Sequence, residues 1–301
     1  MKDRMKSTAA KSNGNNIQKI TCKTALNKLK RKIPYGWDLN IYRGCSQQCK
    51  YCYAVHTHDY LGEDDFSKIF VKTNVAEQLD KELSSSTWKR EIINIGGVTD
   101  SYQEAEAEMK IMPEILKVLI KHKTPAIIST KSELILRDYD LIAKLAKLTY
   151  VNVASTITTM DESIRQKIEP FCSPGKNRFN VLKEFRKTNA SVGLHTMPII
   201  PYLTDSYFNI EQLCLEARES NVHYMLPGVL YLRGKSRNIF FEFLKESFPD
   251  EYESIAKLYK TGGADKSYKE KLYNEVVNPL RQKYGISNSY IKPMKEKMHK
   301  A

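Results

Sequence analysis

From Tyr35 onward, short β-prone runs alternate with longer helical patterns, and this alternation constrains the fold more than any other feature. The predicted strands are Trp37–Tyr42, Glu91–Ile95, Ala126–Ser129, Tyr150–Ser155, Ser191–Met197 and Val222–Leu226. The predicted helices are Asn74–Leu83, Glu108–Lys121, Asp138–Leu148, Asp161–Ile168, Asn177–Asn189 and Asn209–Ser220, several with apolar residues spaced by three and four. Repeated strand–helix units predict a parallel sheet with helical crossovers. An α/β barrel, open or closed, and a doubly wound sheet both satisfy this pattern.

The positions of the polar and glycine-containing motifs favour the barrel. Three cysteines follow the first strand, Gly96–Asp100 follows the second, Thr130–Ser132 the third and Ser155–Thr156 the fourth. In α/β barrels the active site is assembled at the carboxyl ends of the strands. We therefore predict an α/β barrel over residues 34–228. Residues 1–33 are predicted to form a basic, loosely ordered arm, and 229–301 a helical C-terminal cap with a basic tail.

The three cysteines, Cys45, Cys49 and Cys52, form a C-x3-C-x2-C loop that is typical of a metal site. Three thiolates on one loop can hold an iron–sulfur cube, whose fourth iron then has no protein ligand. An open coordination position is typical of catalytic rather than structural metal sites. The alternative is zinc, because His56 would complete a Cys3His tetrahedron at ordinary zinc spacing.

Composition and charge indicate the compartment and the partners of the protein. Its 301 residues include six cysteines, half of them in one loop, which does not indicate a disulfide framework. No apolar run approaches the roughly 18 residues of a membrane span, so we expect no membrane association and a reducing cytoplasm. The formal charge is +13, of which residues 1–32 carry +9 and the last ten residues +3. Such ends either bind a phosphate backbone or are simply solvated.

Several further motifs accompany the cysteine loop in a fixed order. They are Cys49–Ala54 with Thr57–Gly62, Gly97–Gln103, Thr130–Ser132, Leu136–Asp138, Ser155–Thr159, Glu169–Pro170, Arg178 and Met197–Pro201. Together with the cysteines, this series resembles the radical S-adenosylmethionine (SAM) enzymes, in the branch related to spore photoproduct lyase. Many members of that branch are described only as DNA repair photolyases.

The resemblance implies that the barrel is a partial (β/α)6 TIM-type barrel. It also implies a [4Fe–4S] cluster held by Cys45, Cys49 and Cys52, with SAM on its remaining iron. Reductive cleavage of SAM would then give a 5′-deoxyadenosyl radical, with an electron donor such as flavodoxin or ferredoxin. The residues that the resemblance places around SAM are Tyr51, Gly96, Gly97, Thr99, Asp100, Lys131 and Ser155. Glycine at a strand end lets a ligand approach the backbone closely, and a lysine ammonium can pair with the SAM carboxylate.

One departure from that family concerns the hydrogen donor. Spore photoproduct lyase has a cysteine at the end of its second strand, whereas Ile95–Asp100 contains none. Cys172 is the candidate replacement, and the alternative is an inert buried thiol. Arg178 is a candidate clamp for a carboxylate or phosphate, and the alternative is an ordinary salt bridge.

These observations leave three functional hypotheses. The first is a radical SAM enzyme, of lyase or repair type, that acts on a base of DNA or RNA. The second keeps the radical chemistry but places it on a peptide or small metabolite, because the fold does not select the substrate. The third is a zinc-stabilised nucleic-acid-binding module without catalysis.

Overall fold

A seven-stranded sheet forms the centre of the molecule. The structure is a computed structural model that describes residues 8–9, 17–30, 35–61 and 63–298. The strands of this sheet, in spatial order, are β11, β10, β9, β8, β7, β4 and β3. All neighbours are parallel except β3 and β4. In chain order, the described strands are β1 Thr8–Ala9, β2 Ile17–Ile20, β3 Leu26–Lys28, β4 Trp37–Leu39, β5 Tyr42–Arg43, β6 Ile69–Lys72, β7 Ile93–Ile95, β8 Ala126–Thr130, β9 Val151–Thr156, β10 Ser191–Ile199 and β11 Tyr224–Val229.

Helices cover the outer face of this sheet, as the strand–helix pattern predicted. They are α1 Val75–Leu83, α2 Ala105–Met109, α3 Ile111–His122, α4 Tyr139–Leu148, α5 Glu162–Ile168, α6 Gly175–Phe185 and α7 Tyr207–Glu219. Their apolar faces pack on strands that are buried along their whole length, such as β7 and most of β8 and β9. Strands that are buried on both faces are expected of a parallel sheet covered by crossover helices.

The inner face of the sheet encloses one large cavity of about 1080 Å3. Every one of the six parallel strands contributes alternate residues to its wall: Asp38, Asn94, Gly96, Ile127, Ser129, Asn152, Thr156, His195, Met197, Tyr224 and Leu226. A flat sheet could not surround a common space in this way, so the sheet curves into an open barrel. Strands β11 and β3 are its two edges. The partial (β/α)6 barrel is confirmed.

A second sheet joins the cysteine loop to the N-terminal segment. Its order is β1, β2, β6, β5, with Tyr42 opposite Val71 and Ile17 opposite Ile69. Three segments of the predicted loosely ordered arm are therefore strands, β1 and β2 in this sheet and β3 in the barrel sheet. Ala25 and Leu26 are fixed further, because both backbone N–H groups donate to the Glu82 carboxylate. Residues 1–7, 10–16 and 31–33 of that arm lie outside the described residues.

The segment after β11 is helical, and it packs beside the cysteine loop. Its helices are α8 Gly234–Ser247, α9 Pro249–Leu258, α10 Lys266–Leu272, α11 Asn278–Lys283 and α12 Ile291–Met298, with a π-helical turn at Tyr273–Val277. Phe240, Leu244 and Ile255 form an apolar cluster with Tyr51 and Ile168. The predicted helical cap is thus present, and its core reaches the residue between Cys49 and Cys52. No helix in the described ranges is long and apolar enough to cross a membrane.

Candidate functional site

The three cysteines of the loop after β5 all line the large cavity. Cys45, Cys49 and Cys52 belong to its wall, at the end where the parallel strands terminate. Gly44 directs the first of them, because its φ of +80° is a conformation that side chains rarely adopt. A Cβ at Gly44 would lie 2.0 Å from the Lys68 carbonyl oxygen. The loop is further fixed by a hydrogen bond from the Cys45 N–H to the Phe66 carbonyl.

The arrangement of these thiols fits a cluster better than a single zinc ion. No three His, Cys, Asp or Glu side chains in the described ranges converge closely enough to hold one metal ion. His56, the fourth ligand required for zinc, is exposed. An iron–sulfur cube instead binds each thiolate on a separate iron, so its ligands need not surround one point. Three thiols on one cavity wall therefore fit a [4Fe–4S] cluster, and the exposed His56 does not support the alternative Cys3His zinc site.

The thiols differ in how readily they ionise. Burial raises the pKa of Cys45 to about 12 and that of Cys52 to about 11. The pKa of Cys49 is lowered instead, chiefly by a hydrogen bond from Cys172, whose sulfur lies 3.6 Å from the Cys49 sulfur. Burial is the main cause of the raised pKa of Cys172, which remains a thiol and donates.

Tyr51, between the last two cysteines, is anchored by a buried carboxylate. Its hydroxyl donates to Glu169, which also accepts from Thr158 at 3.3 Å and pairs with Arg178 at 2.6 Å. Burial opposes the ionisation of Glu169, but the charges of Arg178 and Lys131 outweigh it and hold its pKa below the usual range. This network joins the cysteine loop to the segment after β9.

Glu169 was part of a matched motif in the sequence but had no predicted role there. Its contact with Tyr51 joins residues 118 positions apart. Arg178 was predicted to clamp a carboxylate or phosphate, and the carboxylate that it holds is the protein's own. Its guanidinium also donates to the carbonyls of Ser173 and Thr156, and it does not line the cavity. The structure therefore gives Arg178 a structural position.

Cys172 is also absent from the cavity wall. It is buried against Cys49, and its carbonyl accepts from Arg165 at 2.9 Å. Ser155 likewise does not line the cavity, because its hydroxyl donates to the Thr130 carbonyl, whereas the neighbouring Thr156 does line it. Cys172, Arg178 and Ser155 thus do not belong to the cavity wall, although the Cys172 sulfur lies 3.6 Å from that of Cys49, and their roles stay predictions.

The remaining predicted residues meet at the cavity wall. Gly96 has a φ of +86°, and a Cβ there would lie 2.2 Å from the Ser129 carbonyl oxygen. Gly97, Thr99 and Asp100 follow it along the wall, and the Thr99 hydroxyl donates to the Tyr42 carbonyl. Only glycine leaves β7 and β8 close enough together at this strand end, so Gly96 shapes the cavity mouth.

Asp100 organises the strand ends. It accepts hydrogen bonds from the Gln47 side chain, the Thr130 hydroxyl and the backbone N–H groups of Tyr102 and Lys131, at 2.7–2.8 Å. Gln47 was missed by the sequence reasoning, although it lies within the cysteine loop itself. With four donors on its two oxygens, Asp100 ties the loop to β8 rather than offering a free carboxylate.

Lys131 supplies the positive charge at this end of the cavity. Its ammonium lies 5.9 Å from the centre of the Tyr51 ring. Burial alone would lower the pKa of Lys131, but the negative charges around it, Cys49 foremost and then Glu169, raise it above the usual range. Lys131 is therefore a fixed cation beside the cysteine loop.

Comparison with known proteins agrees with this geometry. The Radical SAM superfamily model matches residues 39–210. An uncharacterised protein of Mycobacterium tuberculosis is 33% identical over 289 residues, covering 94% of this chain and 85% of its own. Another, from Methanocaldococcus jannaschii, is 28% identical and covers 89% of this chain and 94% of its own. A solved structure of spore photoproduct lyase with a dinucleoside spore photoproduct superimposes with a TM-score of 0.66 at 12% identity, over 88% of this chain and 78% of that one. The chain belongs to the radical SAM superfamily.

Proposed function

We propose that this protein reductively cleaves SAM at a [4Fe–4S] cluster held by Cys45, Cys49 and Cys52, and that it acts on a base of DNA or RNA in a lyase or repair-type reaction. The observation that carries the proposal is the common cavity onto which the three thiols and the strand-end residues Gly96, Gly97 and Lys131 open. When bound, the cluster and SAM supply a 5′-deoxyadenosyl radical for hydrogen abstraction.

The chain's own residues would orient the cofactor. Lys131 provides a partly buried ammonium that can pair with the SAM carboxylate. Gly96 and Gly97 leave backbone exposed at the mouth, where the SAM amino group can approach. Tyr51, held by Glu169, offers an aromatic face beside Cys49 and Cys52. The hydrogen bonds of Asp100 and Thr99 fix the backbone around these residues, and the Ser155 hydroxyl donates to the Thr130 carbonyl.

The rim of the cavity supports a polyanionic substrate. Lys50, Arg233 and Lys235 belong to its wall, and so do the exposed aromatic rings of Tyr53 and Tyr231. Cations beside aromatic rings are the usual means of binding single-stranded nucleic acid, through the phosphates and the base faces. The basic ends of the chain would add a sequence-independent attraction. A peptide or small metabolite is the alternative substrate, because Asp64 and Asp65 belong to the same wall and Lys235 pairs with Asp64 at 3.1 Å.

Deoxyadenosine formation tests the reaction class. The protein is reconstituted anaerobically with iron and sulfide and then given SAM and dithionite, in place of a donor such as flavodoxin or ferredoxin. We expect 5′-deoxyadenosine from the natural chain, none from Cys45→Ala, and undiminished yield from Cys214→Ala, whose thiol is buried in α7 against Met225. A reconstituted protein that holds its cluster but releases no deoxyadenosine would remove the proposal.

A further inference from the structure

The inner end of the cavity, away from the cysteines, carries a second group of polar side chains. We call Asn94, Asn152, His195 and Tyr224 the floor residues; all four line the cavity, and His195, which is in register with Thr156 near the strand ends, joins the group through the Tyr224 hydroxyl. Asn94 and Asn152 lie at the same level, since both are in register with Ile127 of β8. Asn152 precedes Ser155 by three positions, which places it about 10 Å along β9 from the strand ends.

The floor residues form a chain of hydrogen bonds. The Asn152 side-chain N–H donates to the Tyr224 hydroxyl at 2.9 Å, and that hydroxyl lies 3.4 Å from His195 Nε2. Gly193 makes this possible, because the Tyr224 ring crosses directly over it and a Cβ there would lie 2.0 Å from the ring. Gly193 in β10 therefore leaves the space through which the Tyr224 side chain reaches Asn152 on β9.

Two polar groups of this chain remain unused within the described residues. Asn152 is 1% exposed, and its Oδ1 has no hydrogen-bond partner. Leaving a buried acceptor unpaired costs roughly 1–3 kcal/mol, and because Asn152 lines the cavity, a ligand that brings an N–H to this atom would recover that cost. When the Tyr224 hydroxyl donates to His195 Nε2, the imidazole proton lies on Nδ1 and is available as a donor.

The floor is uncharged apart from one occupied carboxylate. Burial, followed by the charge of Lys131, lowers the pKa of His195 to about 4, so the ring is neutral near pH 7. Asp38, the acid at this level, accepts from Asn94 at 2.8 Å. Aromatic rings surround the space, with Tyr224 between His195 at 6.0 Å and Tyr290 at 6.1 Å, measured between ring centres. A charged ligand would lose its hydration here without a counter-charge, whereas a flat neutral one would not.

We propose that the floor residues select the substrate by binding an uncharged planar ring whose edge carries an N–H beside a carbonyl, as the edge of a nucleobase does. The N–H donates to Asn152 Oδ1, and the carbonyl accepts from His195. Tyr224 holds both in place. This inference rests on the proposed function. It adds the orientation of the substrate: the base binds at the floor residues, and the phosphates bind the cations at the rim of the cavity.

Nucleoside binding tests this assignment without turnover. The reconstituted holoenzyme with SAM but no reductant is titrated with uridine and with N3-methyluridine, in which a methyl group replaces the edge proton. We expect uridine to bind and the methylated nucleoside to bind roughly tenfold more weakly, as for the loss of one or two hydrogen bonds. Asn152→Leu and Tyr224→Phe should weaken uridine binding by a similar factor and reduce the difference between the two nucleosides.

The matched control is Tyr284→Phe, which removes a hydroxyl that bonds Glu211 at 3.1 Å on the outside of the barrel. This variant should keep both the affinity and the discrimination. Equal binding of the two nucleosides, absence of uridine binding, or discrimination that survives in both floor variants would overturn the inference. The inference would also be overturned if an aliphatic amide displaced uridine and bound with the same affinity. Deoxyadenosine formation is measured separately, so failure of the floor assignment and failure of the radical chemistry give different results.

Discussion

The two ends of the cavity differ in the charge of the side chains that form them. At the cysteine end, which we call the cluster-side layer, Asp100, Lys131, Glu169 and Arg178 are charged, and each is paired or hydrogen-bonded. At the floor, the hydrogen-bonding side chains are neutral and one acceptor is left unpaired. Buried charges must be compensated within the protein, whereas an unpaired neutral atom is cheap enough to be left for a ligand.

This contrast separates residues that hold the site from residues that select what enters it. The cluster-side layer uses most of its hydrogen-bonding capacity on itself: Asp100 accepts four hydrogen bonds, and Arg178 pairs with Glu169 and donates to two carbonyls, although its Nη2 has no partner in the described residues. The floor, by contrast, keeps free hydrogen-bonding groups inside a rigid parallel sheet. We therefore expect changes in the cluster-side layer to act mainly on stability, and changes at the floor to act mainly on binding.

The largest expected effect comes from the ion pair between Glu169 and Arg178. Both side chains are almost fully buried, with exposed fractions of 0% and 1%. Arg178→Met leaves the Glu169 carboxylate without its main counter-charge, which should reduce the free energy of unfolding by about 3–5 kcal/mol. Urea denaturation of the cluster-free protein measures this value.

The double variant Glu169→Gln/Arg178→Met is the matched control, because it removes the uncompensated charge as well. It should recover a large part of the loss, and the four proteins together form a thermodynamic cycle. If the double variant is no more stable than Arg178→Met, Arg178 does not stabilise the protein by compensating the charge of Glu169. The contrast between the two layers would then lose its main support.

The architecture followed from local sequence signals, and its exceptions have a common cause. Each of the six predicted strands overlaps a strand of the barrel, because period-two runs and flanking helices are local patterns. The first strand ends at Leu39 rather than Tyr42, since Tyr42 pairs with Val71 in the second sheet. That sheet was not predicted. Pairing between segments distant in sequence leaves no local signal, and the same holds for β2 within the predicted arm.

The candidate site divides in the same way. The cysteines, Gly96 and Lys131 could be found because each belongs to a short motif at a strand end. The partner of Tyr51 could not, and neither could the bond from Asn152 to Tyr224, which spans 72 positions. The sequence also could not show that Arg178 pairs with Glu169 or that the Ser155 hydroxyl donates to the Thr130 carbonyl, and the ligand-binding roles of both residues stay predictions.

A smaller effect, on the dependence of stability on pH, tests the neutrality of the floor. The pKa of His195 is about 4 in the folded chain, against an ordinary value of 6.5. The unfolded chain therefore binds more protons between these values, and stability is lost as the pH falls through this window. Between pH 7 and pH 5 the loss should be about 2 kcal/mol.

His195→Gln provides the reference for this measurement, because glutamine keeps hydrogen-bonding capacity without titrating. The quantity to compare is the difference in unfolding free energy between the two proteins at each pH, since carboxylates contribute equally to both. Parallel curves would show that His195 is hydrated in the folded chain, and the floor would then not be the desolvated layer described above.

Lys131 tests the cluster-side layer as a cofactor site. Lys131→Met should raise the dissociation constant of SAM about tenfold, the effect of removing one charged hydrogen bond. Equilibrium dialysis of the reconstituted protein measures the constant, and the visible absorbance reports whether the cluster is retained. The control is Lys117→Met, an exposed lysine paired with Glu114 at 2.7 Å. Unchanged SAM affinity with an intact cluster would place the carboxylate of SAM elsewhere.

The smallest expected effect is on the stability of the floor itself. Asn152→Leu/Tyr224→Phe replaces both partners of a buried hydrogen bond by apolar groups and removes the unpaired Asn152 oxygen. Such replacements are nearly neutral, so the free energy of unfolding should change by less than about 1 kcal/mol. The measurement is the same urea series used for Arg178→Met. A loss of several kcal/mol would mean that the floor holds the barrel together, as the cluster-side layer does. In that case the free Asn152 oxygen would be a tolerated defect of a structural network, rather than a group kept for a ligand.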